Sequence, residues 1–120
     1  MAVLRIVPDI RFKNPEETKA FYRDVLGLDV AMDQGWIITF ASMESTKPQV
    51  SVMSEGGSGT PVPDISIEVD NIDAVYEKAR AIGCDIVYAM TEEPWGVRRF
   101  YVRDPAGKLL NILAHKDVRS

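Results

Sequence analysis

Apolar residues recur along this chain with two periods, and each period appears once in each half. Over Glu16–Val30, "EETKAFYRDVLGLDV", Ala20, Phe21, Val25 and Leu26 fall near one face at helical spacing, with Gly27 as a C-terminal stop. Over Asn71–Val87, "NIDAVYEKARAIGCDIV", Ile72, Val75, Ala79 and Ile82 make a second stripe that stops at Gly83. Around the helices the period shortens to that of strands. "LDVAMDQ" leads through the Gln34-Gly35 turn into "WIITFAS", and "PQVSVMS" follows with Val50 and Val52 alternating against Gln49, Ser51 and Met53. The second half answers with "CDIVYAM", "VRRFYVR" and "KLLNILAH", the last two joined by the turn "DPAG".

The halves also open alike. Val-Pro-Asp-Ile is spelled at Val7–Ile10 and again at Val62–Ile65, 55 residues later. The helix-ending glycines, Gly27 and Gly83, are 56 apart, and "LGLDV" and "IGCDI" follow the same apolar–Asp–apolar order. The phase holds to one residue, which indicates a duplication. The chain therefore predicts an α+β fold of two βαβββ modules, residues 1–57 and 58–120, within a single domain. The link "EGGSGTPVP" (Glu55–Pro63) reads as a flexible connector. It lacks the Lys-Ser/Thr ending of a phosphate-binding loop. A module of about 55 residues buries too little surface alone, so two must share a sheet or core.

Each opening strand has two unlike faces. Ile10 and Phe12 share one and Ile65 and Ile67 its counterpart, each expected beneath a helix. The opposite faces carry Val7, Asp9 and Arg11, then Asp64, Ser66 and Glu68. Such part-polar faces suit a concave ligand cleft; by itself the alternation favours a plain sheet with a wet outer face.

Composition narrows the function. A net charge of −4 and a pI near 4.9 speak against nucleic acid, which needs a basic patch, and mildly favour a cationic ligand. No apolar run approaches the ~20 residues that span a bilayer, and the start "MAVLRIVPDI" has no secretory signal pattern. One cysteine excludes an internal disulfide and any multi-cysteine zinc site, which fits a cytoplasmic setting. Cys84 aligns with Leu28 and reads as a small core residue.

"AFYRDVLGLDV" and "PWGVRRFYVRDPAGKLLNIL" resemble the two signature stretches of the glyoxalase / bleomycin-resistance / extradiol-dioxygenase group, the vicinal oxygen chelate superfamily. The resemblance runs from Ile6 to Leu113. It implies two βαβββ modules forming half-open curved sheets, and a homodimer. Enzymes of the family hold a divalent metal at fixed offsets from these motifs, and the offsets lead here to Val7, Asp64 and Asn111, with a fourth near Ser51. Val has no donor atom, Asn is a weak neutral ligand, and one Asp does not hold Zn²⁺, Ni²⁺ or Fe²⁺. The single histidine, His115, lies four residues past the ligand position and reads as an exposed strand end. No metal and no cofactor are therefore expected, and no catalytic residue is assigned.

Family members without metal ligands include antibiotic-binding resistance proteins, so the resemblance implies sequestration of a cationic or aromatic, antibiotic-like ligand in a dimer cleft. The expected ligand-binding residues are Trp36, Asp64, Glu68, Trp95, Arg99, Tyr101 and Asn111. Trp36 and Trp95 offer flat surfaces for stacking. Each also has a packing role open to it: Trp36 starts a strand, and Trp95 lies in a loop between Pro94 and Gly96. Arg99 and Tyr101 alternate away from Phe100 and Val102 and share the cleft face with Asn111 and Leu113. Arg99 has two roles open to it, binding an anionic substrate or pairing with Asp64 or Glu68; the pairing is favoured, since a lone buried charge is costly. Glu92 and Glu93 read as solvated loop charges, as do Arg5, Arg103, Lys108, Lys116 and Arg119. The alternatives are an enzyme of the same superfamily (lyase, isomerase or dioxygenase-like) with its ligands at positions other than these offsets, a metal-independent acid–base reaction using Asp64 with Tyr101 or Arg99, or a binding module for an unrelated ligand.

Overall fold

A computed structural model describes residues 2–42 and 49–116, the Val25 side chain excepted. Two compact units emerge, Met1–Ile6 with Pro63–Ser120, and Val7–Val62. The architecture is α+β. Its elements run β1 (Val3–Arg11), α1 (Pro15–Lys19), a π-helix (Ala20–Val25), β2 (Asp29–Asp33), β3 (Ile37–Ala41), β4 (Gln49–Met53), β5 (Ile65–Val69), α2 (Ile72–Ala81), β6 (Ile86–Glu92), β7 (Val97–Arg103) and β8 (Leu109–His115). Each half is thus a βαβββ module. Strand order repeats as well: β2-β3-β4-β1 in the first and β6-β7-β8-β5 in the second, with β1–β4 and β5–β8 parallel and the rest antiparallel. A parallel first-to-last pairing needs a long crossover, which the helix and two strands provide. No helix among the described residues is long and apolar enough to cross a membrane.

In the second module the core is the one its periodicity predicts. Phe100, Val102 and Ile112 project from β7 and β8, Val69 from β5, and Ile72 from α2. Val75, Tyr76 and Ala79 complete the helix side, with the Tyr76 ring edge-on to Phe100 at 4.8 Å, and Cys84 packs at the margin. Asn71 caps α2 by accepting the Ala74 N–H, and Gly83 ends it with a positive φ. The predicted stripe fails at its last member: Ile82 is exposed, because the helix stops at Ala81.

The first module departs further. Asn14 caps α1 by accepting from the N–H groups of Glu16 and Glu17. After one turn the helix widens, and Leu26 N–H bonds the Phe21 carbonyl five residues back. A count of 3.6 residues per turn no longer predicts the buried face. Ala20, Phe21 and Leu26 are exposed, and Tyr22 instead stacks on Phe40 at 5.1 Å, over a core of Phe12, Ile38, Phe40 and Val52. Ile10, expected beneath the helix, shares the Val52 side of the sheet but is 44% exposed, whereas Val7 and Asp9 on the opposite face are buried.

The connector also differs from expectation. Gly56 N–H donates to the Thr60 carbonyl, Thr60 N–H and Oγ1 both donate to the Gly57 carbonyl, and Gly59 N–H donates to the Glu55 carboxylate. Gly56, Gly57, Thr60 and Pro63 are buried. Glycine at positive φ (Gly57, 88°; Gly59, 76°) here builds a self-bonded turn, so the same composition that permits flexibility serves a tight fold.

Lys19 at the end of α1 reaches Asp33 at the end of β2 (2.8 Å). That hydrogen bond, then the Gly35 N–H, holds the Asp33 carboxyl below its ordinary value; the same bond holds the Lys19 ammonium above its own. A depressed carboxyl contributes stability that is full above its unfolded value of 3.8 and lost as pH falls through the folded one. A raised ammonium contributes below 10.5 and is lost as pH rises through its folded value. Asp33→Asn is therefore expected to cost little at pH 7, as solvent-facing pairs do. Its difference from the parent protein should shrink on acidification below pH 3.8, read by urea denaturation at pH 7 and pH 3.

Candidate ligand-binding site

The face of the second module's sheet opposite its helix-side core is set by register. Tyr101 lies opposite Asn111 and Tyr88, Arg99 opposite Leu113 and Thr91, Ser66 opposite Asn111, and Glu68 opposite Leu113. Five of the seven residues singled out from the sequence, Glu68, Trp95, Arg99, Tyr101 and Asn111, belong to this face or to the β6–β7 turn beside it. Asp64 immediately precedes β5 and is exposed, and Trp36 belongs to the other unit.

Arg99 is the centre of the arrangement. Its side chain is 3% exposed, and its Nε donates to Glu93 Oε2 at 2.6 Å. Its Nη1 donates to the Tyr101 hydroxyl at 3.2 Å, and the Tyr88 hydroxyl donates to the same Glu93 oxygen at 3.0 Å. The guanidinium carbon lies 5.0 Å from the Trp95 ring centroid, 5.1 Å from Tyr101 and 5.3 Å from Tyr88. Tyr88 and Tyr101 also meet edge to face at 5.5 Å. The expected pairing of Arg99 with Asp64 or Glu68 is thus replaced by one with Glu93, and Glu93 is buried, not a solvated loop charge. The turn explains it: Glu93 N–H bonds the Val97 carbonyl, and Gly96 at φ 91° returns its N–H to the Glu93 carbonyl, aiming Glu93 back along β7. Glu92, as expected, is exposed and meets Arg98 and Lys116.

The other acids are also engaged. Asp64 Oδ2 accepts the Leu109 N–H at 2.8 Å, which ties the start of β5 to β8. Glu68 takes Arg5 Nε at 2.9 Å and His115 Nδ1 at 2.8 Å, so Arg5 is a partner and not a free surface charge. His115 is exposed at the end of β8. Asn111 Nδ2 donates to the Ser66 hydroxyl at 3.1 Å, while its buried Oδ1 receives no hydrogen bond in the structure. Trp36, in the other unit, is half-buried at the start of β3, and its carbonyl accepts the Ser54 N–H. Arg119 lies outside the described residues.

The donor set does not fit a resident divalent metal. Val7 offers no atom, Asp64 is exposed and committed to a backbone N–H, and Asn111 gives one neutral oxygen. Among the described residues no three His, Cys, Asp or Glu side chains converge. In the first module Ser51 instead bonds Thr39 side chain to side chain at 2.8 Å. A separate cavity of about 330 Å³ opens in that module beside Ile10, Phe21 and Tyr22 and includes none of the residues chosen from the sequence.

Glu93, Tyr88 and Ser66 are not among the expected ligand-binding residues, although alternation places Ser66 on the polar face of β5. Glu93 was visible only as an acid beside Pro-Trp-Gly. Tyr88 was hidden by a bulge: Ile86 pairs with core-side Val102 but Tyr88, two residues on, pairs with Tyr101 on the opposite face.

Comparison with known proteins agrees with the topology. Residues 3–112 match the family model of the glyoxalase/bleomycin resistance protein/dioxygenase superfamily. No curated protein sequence matches significantly. Among solved structures, one described as the NAD-dependent benzaldehyde dehydrogenase from Legionella pneumophila aligns with a TM-score of 0.75 at 17% identity, covering 93% of this chain and all of its own. A superfamily member from Vibrio splendidus 12B01 aligns at 0.65 and 19%, covering 94% and 99%. Streptomyces coelicolor methylmalonyl-CoA epimerase, in complex with 2-nitronate-propionyl-CoA, aligns at 0.73 and 16%, covering 97% and 100%. At these identities the likeness is one of fold alone.

Proposed function

The chain belongs to the glyoxalase/bleomycin resistance protein/dioxygenase superfamily, and on that premise we propose that it binds a small molecule without a metal. The observation that carries the reading is Asn111. It stands where the family's enzymes are expected to hold a metal-binding carboxylate, and it presents a buried oxygen with no hydrogen bond in the structure. A buried acceptor left unmade costs roughly 1–3 kcal/mol. A ligand O–H or N–H reaching Oδ1 recovers that energy. The acids that suggested a cationic, antibiotic-like ligand are already engaged by Arg99, Arg5, His115 and a backbone N–H, which favours a neutral aromatic one. A homodimer is part of the reading. Leu4 and Ile6 in one unit, and Phe21, Leu26 and Val30 in the other, are large apolar side chains left exposed, as interfaces require.

The test is a tryptophan-emission titration with neutral aromatic amides and phenols. We expect saturable binding, with the compound recovered unchanged, and affinity at least about tenfold lower in Asn111→Leu, a nearly isosteric change. Conversion of the compound, or binding indifferent to Asn111→Leu, would overturn the reading.

A further inference from the structure

Three aromatic rings and a carboxylate around a cation form the kind of cage that proteins use to recognise alkylammonium and guanidinium ligands. Here Tyr88, Trp95, Tyr101 and Glu93 form it, and the cation is already present, covalently attached, as Arg99. We propose that Arg99 is a built-in occupant of a cation site, and that by filling it this residue sets the ligand specificity of this face against cations. The inference rests on the small-molecule-binding reading for its biological meaning but is read with different probes.

The geometry supports occupancy and not merely proximity. Nε spans to Glu93 at 2.6 Å while Nη1 reaches the Tyr101 hydroxyl, so two edges of the guanidinium are hydrogen-bonded and its carbon lies at nearly equal distances from all three rings. The Tyr88 hydroxyl donates to the same Glu93 oxygen, which fixes the carboxylate in place beside the guanidinium. Both charged side chains are almost wholly withdrawn from water, so a mobile cation would have to displace a tethered one that has no translational freedom to lose. Asn111 and Leu113, next along this face, carry no charge.

Truncation to Arg99→Ala should empty the cage and leave its walls standing. Guanidinium or methylguanidinium chloride at low millimolar concentration should then raise the melting temperature of Arg99→Ala by several degrees over the same concentration of sodium chloride, with saturable Trp95 emission change. The parent protein should show neither effect, and tetramethylammonium should leave its emission unchanged. If Arg99→Ala does not fold unaided, refolding yield from urea with and without methylguanidinium gives the same reading. The double variant Glu93→Gln/Arg99→Ala removes the carboxylate and should lose at least about tenfold in methylguanidinium affinity. Absence of any cation-specific effect on Arg99→Ala, equal rescue of the double variant, or saturable tetramethylammonium binding by the parent protein would overturn the proposal. None of these outcomes depends on the neutral-ligand titration, so the two readings fail separately.

Discussion

Glu93→Gln is expected to destabilise the protein by about 3–5 kcal/mol, the usual consequence of removing one member of a buried ion pair. The carboxamide keeps the shape of the carboxylate but not its charge, so the Arg99 guanidinium stays buried at 3% exposure without its carboxylate. The change should lower the midpoint of thermal unfolding by roughly 10 °C or more in a chain of this size. The pair itself is weak evidence for stability, because withdrawing both charges from water offsets most of their attraction. Replacing both, as Glu93→Leu/Arg99→Met, should therefore be less damaging than Glu93→Gln alone. A residual loss should remain, since the Tyr88 hydroxyl loses its acceptor and the Tyr101 hydroxyl loses its donor. Urea denaturation of the three variants checks this order. A Glu93→Gln cost under about 1 kcal/mol would place the pair among solvent-screened surface bridges instead.

Phe100→Ala is expected to cost about 3–5 kcal/mol by emptying the centre of the second module's core. Phe100 has no exposed surface, touches the cluster of Val69, Ile72, Val102 and Ile112, and receives the Tyr76 ring edge at 4.8 Å. Its loss removes both the transfer energy and an aromatic pair. Against a typical total of 5–15 kcal/mol the variant should be near the limit of folding. Val87→Ala on the exposed side of β6 is the control and should change stability by less than about 0.5 kcal/mol. Equal effects from the two would mean that the alternation along β6 and β7 had been read in the wrong phase.

The fold was legible because the duplication is written in the positions that build it. The glycines that stop the helices and the Asp-Pro-Ala-Gly turn act through local backbone geometry, which a single sequence exposes directly; the Val-Pro-Asp-Ile echo is out of register, since Val7–Ile10 lies inside β1 and Val62–Ile65 reaches β5 only at Ile65. In that last turn Asp104 accepts the N–H groups of Ala106 and Lys108, and Gly107 takes φ 83°. Alternation along β7 and β8 then separated Phe100, Val102 and Ile112 from Arg99, Tyr101 and Asn111 correctly. What escaped were features in which the period breaks. The π-helix at Ala20–Val25 turned Phe21 and Leu26 outward and Tyr22 inward, and the bulges in β6 moved Tyr88 to the face opposite the core. Ion-pair partners escaped for a different reason. Arg99 lies in the row of Leu113 and Glu68 while Asp64 lies in that of Leu109, and the turn at Trp95-Gly96 brings Glu93 to the guanidinium instead. Asp64, placed on the polar face by alternation, accepts the Leu109 N–H with one carboxylate oxygen.

On the proposed reading the chain keeps the superfamily scaffold without the divalent metal expected of the superfamily's enzymes. Elemental analysis of the purified, untagged protein, followed by melting curves with added Ni²⁺, Zn²⁺, Mn²⁺ and Fe²⁺, tests it most directly. The residues at the family's ligand positions, Val7, Asp64 and Asn111, predict substoichiometric metal and no rise in melting temperature with any of the four. One tightly held metal per subunit, released only by a chelator and with a fall in stability, would contradict the account and return the chain to the enzymes of its superfamily.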